Sequence, residues 1–299
     1  ELDIDYLHSS SLFFDSAALS KIEIETIVPP FSTFDCVVKT DDGRDMGLQY
    51  SDSGAGRLRC WLHMAHDGYF PKNTEYVLGI DVAMGTGSSN STASVWDANK
   101  REKVAEYSNP HMDPTEFAKV CVGLAWRFCG ASRRGAFMCW EANGPGWSFG
   151  KMVQKCGYGN FYYSLKNEKS SINKKSDNPG FFSTRTNKVA LLVEFNRAIR
   201  DGEAIIRSET TVRECREYAF AADGDVIHTM SKQRAADPAG AGQNHGDMVI
   251  ADALGWLGIR EVFVQGSKET FVPESSPMAR RQERDMRRSQ DTGWRRSFM

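Results

Sequence analysis

Three carboxylates stand where chemistry could be done. Asp81 closes the apolar run Tyr76-Val77-Leu78-Gly79-Ile80, Glu141 closes Phe137-Met138-Cys139-Trp140, and Asp247 opens a helix-like segment, His245–Gly258. Moving a carboxylate out of water costs several kcal/mol unless a partner compensates its charge, so an acid at the end of a buried strand asks for a cation. If the three converge, they suit hard, oxygen-preferring ions such as Mg²⁺ or Mn²⁺. Two such ions roughly 3.5–4 Å apart can activate a water and stabilise the leaving oxygen of a phosphodiester. The same acids could instead end their strands by accepting turn amides and complement a helix dipole. Residue type alone leaves both readings open.

Basic residues supply a second kind of candidate. The formal net charge is −2, yet residues 1–50 carry ten acids against three bases and residues 151–200 ten bases against three acids. Lys166, Lys169, Lys174 and Lys175 fall in the polar stretch Asn167–Gly180 or at its edge. Arg185 and Lys188 lie just beyond it, and Lys232 and Arg234 precede the last helix. Phosphate contacts come chiefly from Lys and Arg, so this set is a candidate polyanion-binding surface, as a group rather than residue by residue; basic charge alone does not establish nucleic-acid binding. A solvated face would have the same composition. Two reserve candidates remain: Asp252 lies five positions after Asp247, roughly 140° round the helix, and His245 could face DNA or simply start the helix.

The elements that must position these groups read as a mixed α/β domain from about 71 to 265. Tyr76–Val82, Thr92–Asp97 and Lys103–Tyr107 are three strand candidates joined by short links, an antiparallel meander. Asp113-Pro114-Thr115-Glu116 opens a helix with a capping Asp, Pro in the first turn and Glu three residues on, and Phe117, Val120, Cys121, Leu124 and Phe128 form its apolar stripe. Gly135–Glu141 predicts a buried strand, Phe149–Cys156 a helix, and Phe161-Tyr162-Tyr163 another strand. Helices are expected near Lys188–Arg200 and Glu209–Phe220, with short extended pieces at Ala204-Ile205-Ile206 and Val226-Ile227-His228. In the final helix Asp247, Ala251, Leu254 and Gly258 share a face whose small residues would let it approach a sheet closely.

Outside this domain, residues 1–70 read as an arm or linker and residues 266–299 as a basic, disordered tail with seven arginines from Arg280 onward. No apolar run approaches the roughly 18 residues of a membrane span, and the seven cysteines contain no C-x-x-C pair, so buried thiols in a reducing, cytosolic compartment are expected.

The segments Gly79-Ile80-Asp81-Val82-Ala83-Met84-Gly85, Trp140-Glu141-Ala142-Asn143-Gly144-Pro145-Gly146 and Asn244-His245-Gly246-Asp247-Met248-Val249-Ile250-Ala251-Asp252-Ala253-Leu254 resemble, in order and spacing, the nuclease half of tailed-bacteriophage large terminase subunits. Connecting pieces agree, Gly180–Lys188 and Asp201–Ile206 among them, and Glu1–Leu19 is similar to the stretch where that family's ATPase domain gives way to its nuclease domain. The resemblance implies a ribonuclease H-like fold, a central mixed β-sheet flanked by helices, that cuts concatemeric double-stranded DNA in the cytoplasm of the infected host. It makes Asp81, Glu141 and Asp247 ligands of two divalent cations, Mg or Mn. It also implies a missing N-terminal ATPase domain, a portal or procapsid, and a small terminase subunit as partners, with no membrane.

No G-x-x-x-x-G-K-[ST] occurs. Around Gly150-Lys151, Pro145 takes the place of the first glycine and Met152 that of the hydroxyl residue, so ATP hydrolysis is not expected. The chain begins at Glu1, as a C-terminal half would. Two rival readings stand beside the nuclease. Asp81 followed by Gly85-Thr86-Gly87 also resembles the first phosphate loop of actin-like sugar kinases and chaperone ATPases, and the chain could be a non-catalytic DNA- or portal-binding module.

Overall fold

A computed structural model describes residues 12–39, 46–132, 134–164, 176, 178–221, 224–229 and 246–269. The meander forms as its pattern predicts. β4 (Tyr76–Asp81), β5 (Ser91–Asp97) and β6 (Glu102–Asn109) pair antiparallel, with Asp81 opposite Thr92 and Gly79 opposite Ser94. α2 (Pro114–Arg127) then crosses the sheet, its N-terminus capped by Asp113, whose carboxylate accepts the amides of Thr115 and Glu116. All five residues of its apolar stripe are buried. β7 (Phe137–Trp140) returns parallel to β4, in register Ile80 to Trp140. Beyond it the 161–163 segment runs parallel through a single bridge, Met138 to Phe161. The resulting order, β6-β5-β4-β7 and then that segment, is the ribonuclease H-like arrangement: an antiparallel meander whose first strand pairs with a parallel strand.

Residues 32–60, read from sequence as part of an arm, extend this same sheet. β1 (Ser32–Val37), β2 (Gln49–Asp52) and β3 (Leu58–Cys60) complete a seven-stranded order β2-β1-β3-β6-β5-β4-β7. Strands of three to six residues between turn signals offer too little alternation to declare their partner, which here is the free edge of β6. α1 (Ser16–Glu25), α3 (Pro145–Lys155), α4 (Arg185–Arg200) and α5 (Glu209–Cys215) complete the helices before the last one. The helix expected over Glu209–Phe220 ends at Cys215, and Tyr218–Phe220 becomes β8, paired with β9 (Val226–His228). The β-favouring Tyr218-Ala219-Phe220 finds a strand partner, which outweighs continuation of the helix.

Which face each strand turns toward α6 (Asp247–Glu269) decides the rest. Tyr76, Leu78 and Ile80 join the core shared with α2 and α3. The alternate residues Val77 and Gly79 lie against α6: a Cβ at Gly79 would overlap the Ala251 carbonyl oxygen and the Gly255 amide nitrogen, and one at Gly258 would meet Val77, Phe137 and Cys139. Backbone-to-backbone contact of this kind admits only glycine. Asp81 and Glu141 continue the parity of Val77–Gly79 and Phe137–Cys139, so both project on the α6 side. Residues through Ile259 form one compact unit, and from Arg260 the chain belongs to a second.

Candidate functional site: an acidic edge of the sheet

The site assembles at the carboxyl ends of β4 and β7 and the amino end of α6. Parallel pairing places Glu141 beside Asp81: the Glu141 amide donates to the Ile80 carbonyl at 3.3 Å. The loop after Glu141 is held from the far side. Ala142 donates its amide to the Phe181 carbonyl at 2.8 Å, and the Asn143 side chain donates to Ser183 O at 2.8 Å and accepts from Ser183 N at 2.7 Å. Gly146 is required there, since a Cβ would overlap the Glu141 carbonyl oxygen. These bonds tie Glu141 to the start of α4, where Thr184 and Asn187 form a reciprocal capping box.

Asp247 is delivered by α6. Its carboxylate accepts the Asn90 amide at 2.7 Å, and its carbonyl accepts the Thr92 hydroxyl at 3.0 Å. Because Thr92 is the register partner of Asp81, this bond sets Asp247 over the end of β4. Buried Glu214 of α5 accepts the amides of Met248 at 2.9 Å and Val249 at 3.2 Å, filling the role of a helix cap from a distant element. Tyr218 donates its hydroxyl to the Gly246 carbonyl at 3.1 Å.

Electrostatics report the convergence. Burial pushes the Asp81 carboxyl well above its ordinary range, Asp247 and Glu141 push it further, and Lys188 on the first turns of α4 opposes them. Glu214 is pushed up to about 8, first by burial and then by Asp247. Asp81 and Glu214 thus resist ionising, first because they are buried and then because acids lie close to them. Among the described residues, however, no group of three or more His, Cys, Asp or Glu side chains stands at metal-coordination spacing. The three acids share one edge and one another's field without closing on a point.

Of the other sequence candidates, Asp252 is moved elsewhere. It is fully buried, accepts from Ser94 Oγ, from Thr211 Oγ1 at 2.6 Å and from Lys103 Nζ at 2.9 Å, and belongs to a network on the sheet face under α6. Its partners all lie within that network, away from the Asp81–Glu141–Asp247 edge. Arg185 pairs with Asp225 at 3.2 Å, whereas Lys188 faces Asp81. Lys166, Lys169, Lys174, Lys175, Lys232, Arg234 and His245 lie outside the described residues, as does the arginine-rich tail. Sequence reasoning missed Glu214 and Tyr218. Both sit in a segment read as one helix, and no spacing rule links them to Asp247.

No helix among the described residues is long and apolar enough to cross a membrane. Comparison with protein-family models and with curated proteins finds no match. Among solved structures the chain is similar to the large terminase nuclease of thermophilic phage G20c with bound magnesium, at 14% identity and a TM-score of 0.49, over 80% of this chain and 96% of that one. It is likewise similar to the large terminase nuclease domain of Thermus phage P74-26, at 13% identity and a TM-score of 0.49, over 80% of this chain and 93% of that one. A G20c nuclease structure with bound cobalt matches at 15% identity and a TM-score of 0.49, over 80% and 96%.

Proposed function

We propose that this chain is the nuclease domain of a phage DNA-packaging terminase, a divalent-metal-dependent endonuclease that cuts double-stranded DNA at the Asp81–Glu141–Asp247 edge. The observation that carries the reading is the convergence of that edge: the Glu141 amide bonds the Ile80 carbonyl beside Asp81, the Thr92 hydroxyl holds Asp247 over the end of β4, and both acids raise the buried Asp81 carboxyl against the pull of Lys188. Carboxylates so placed gain most from an added cation. The donor set is all oxygen and doubly or triply negative, which fits a hard divalent ion better than a soft one.

In this reading Asp81, Glu141 and Asp247 would hold two ions, Mg²⁺ or Mn²⁺. Ions bound there supply Lewis-acid activation of a water and charge neutralisation at the leaving oxygen. The chain's own residues do the rest. Glu214 and Thr92 fix the start of α6 so that Asp247 keeps its place, the Asn143–Ser183 clamp holds the Glu141 loop, and Lys188 meets a non-bridging phosphate oxygen. Lys166, Lys169, Lys174, Lys175, Arg185, Lys232 and Arg234 complete the proposed phosphate track. Residues 71–265 carry the nuclease chemistry on a sheet that β1–β3 extend, and 266–299 are a basic tail that reaches a portal or procapsid. A preceding ATPase domain and a small terminase subunit join it in the cytoplasm of the infected host.

Supercoiled plasmid is the test. Nicking should require Mg²⁺ or Mn²⁺, stop with EDTA, return on adding back a single metal, and be abolished in Asp81→Asn with DNA binding retained. Nicking that survives either EDTA or Asp81→Asn removes the acidic edge from the chemistry.

A further inference from the structure

Most large apolar side chains of the chain are buried, yet two aromatic rings stand open beside the acidic edge. Trp147, in the first turn of α3 and six residues after Glu141, is 59% exposed; Phe182, next to the residue that bridges to Glu141, is 58% exposed. Both line one open cleft of about 120 Å³, whose floor is Ala142, Gly146, Gly150 and Gly180. That is well below the roughly 300–1,000 Å³ of a pocket for a drug-sized ligand. The floor is glycine-rich and flat. Polar groups stand at its rim: Gln154, Asn178 and Lys151, whose ammonium lies 5.5 Å from the centre of the Trp147 ring.

We infer that Trp147 and Phe182 form a stacking subsite for one unpaired nucleobase of a DNA strand whose backbone passes over Glu141. This rests on the nuclease reading and adds to it the state of the substrate: a strand locally unpaired beside the point of cutting. The chemistry of the cleft selects that occupant. An aromatic face accepts any base by stacking, the side-chain amides of Gln154 and Asn178 can meet a base edge with donor or acceptor, and Lys151 is placed to neutralise the adjoining phosphate. A lone phosphate would have no use for the rings, whereas a nucleotide uses both the rings and Lys151.

Binding is measured by fluorescence anisotropy in EDTA, where no strand is cut, with an oligothymidylate and an abasic oligodeoxynucleotide of equal length. The thymidylate should bind roughly tenfold more tightly. Trp147→Ala and Phe182→Ala should each lose most of that preference while affinity for the abasic strand holds, and Trp147→Phe should keep most of it. Equal binding of the two strands by the parent protein overturns the subsite, and this comparison stands even if a variant fails to fold. A preference that survives both alanine variants overturns it as well. Because the assay contains no metal and no cleavage, a protein that nicks plasmid without base preference sinks the subsite alone. One that shows the preference without nicking sinks the nuclease reading alone.

Discussion

Two groups of acids lie on the same face of the sheet, and they are solved in opposite ways. Under α6, Glu106 and Asp252 are fully buried with Lys103, whose ammonium donates to Glu106 at 2.9 Å, to Asp252 at 2.9 Å and to Thr211 at 2.8 Å. Arg59 closes the set at 3.0 Å from Glu106. Two cations meet two anions, and all three ammonium protons have acceptors. Burial opposes the charge on Lys103, but Asp252 and Glu106 outweigh it and hold the amine protonated; burial likewise pushes Glu106 up, and Lys103 with Arg59 brings it below its ordinary value. Burial also holds Asp252 above its ordinary value although Lys103, Ser94 and Thr211 pull it down; at the strand ends burial, then Asp247 and Glu141, drive Asp81 well up with Lys188 opposing. The internal network is completed by side chains of the chain itself, while in the reading proposed above bound cations would complete the edge.

The comparison breaks most visibly at Lys103. Replacing it as Lys103→Met leaves two buried carboxylates short of a cation and should cost about 3–5 kcal/mol of unfolding free energy in a urea titration. A loss under 1 kcal/mol would mean the network is not buried as described. Neutralising one acid in each group should then give opposite signs in metal-free protein near neutral pH. Asp252→Asn should destabilise by about 2–3 kcal/mol, and Asp81→Asn should stabilise by about 1 kcal/mol, because it removes repulsion. Equal signs would erase the distinction between the two groups.

The same asymmetry has a pH form. Glu214 has a folded pKa near 8, above its ordinary 4.5, so it favours the folded state below about 4.5 and loses that contribution as pH rises through 8. Metal-free protein should therefore lose thermal stability between those limits, Mg²⁺ should restore part of it, and Glu214→Gln should flatten the profile. The smallest effect distinguishes two basic residues of α4. Lys188→Met should reduce the slope of log binding constant against log salt by about 0.9 for duplex DNA, and Arg185→Met by less, because its guanidinium must give up Asp225 to meet a phosphate.

A one-residue irregularity explains why the internal network could not be read beforehand. In β6 the register shifts so that Val95 faces Ala105 but Trp96 faces Lys103, which makes Val104 an extra residue. Strict alternation would put Lys103 and Glu106 on opposite faces; the bulge puts both under α6 and sends Val104 and Ala105 together into the core. Asp252 was a reserve ligand on the strength of its helical position alone, and the bulge is what supplied it with a cation. β1–β3 were hidden for a related reason, since a short edge strand is specified by the strand it joins.

By itself the sequence determined the meander, the helix capped at Asp113, the buried strand after it and the identity of the acids that end β4 and β7, because apolar periodicity and capping chemistry act over a few residues and leave local signatures. It also held Gly79 and the small residues of α6, from which a close helix crossing followed. Only the tertiary structure decided which acids share a field. That outcome depends on the register between strands, on the Thr92 bond that carries Asp247 to β4, and on Glu214 reaching α6 from another helix. Charge interactions run through space rather than along the chain, so two aspartates five residues apart on one helix meet different partners: Asp252 the Lys103 ammonium, Asp247 the Asn90 amide and the Asp81 carboxyl.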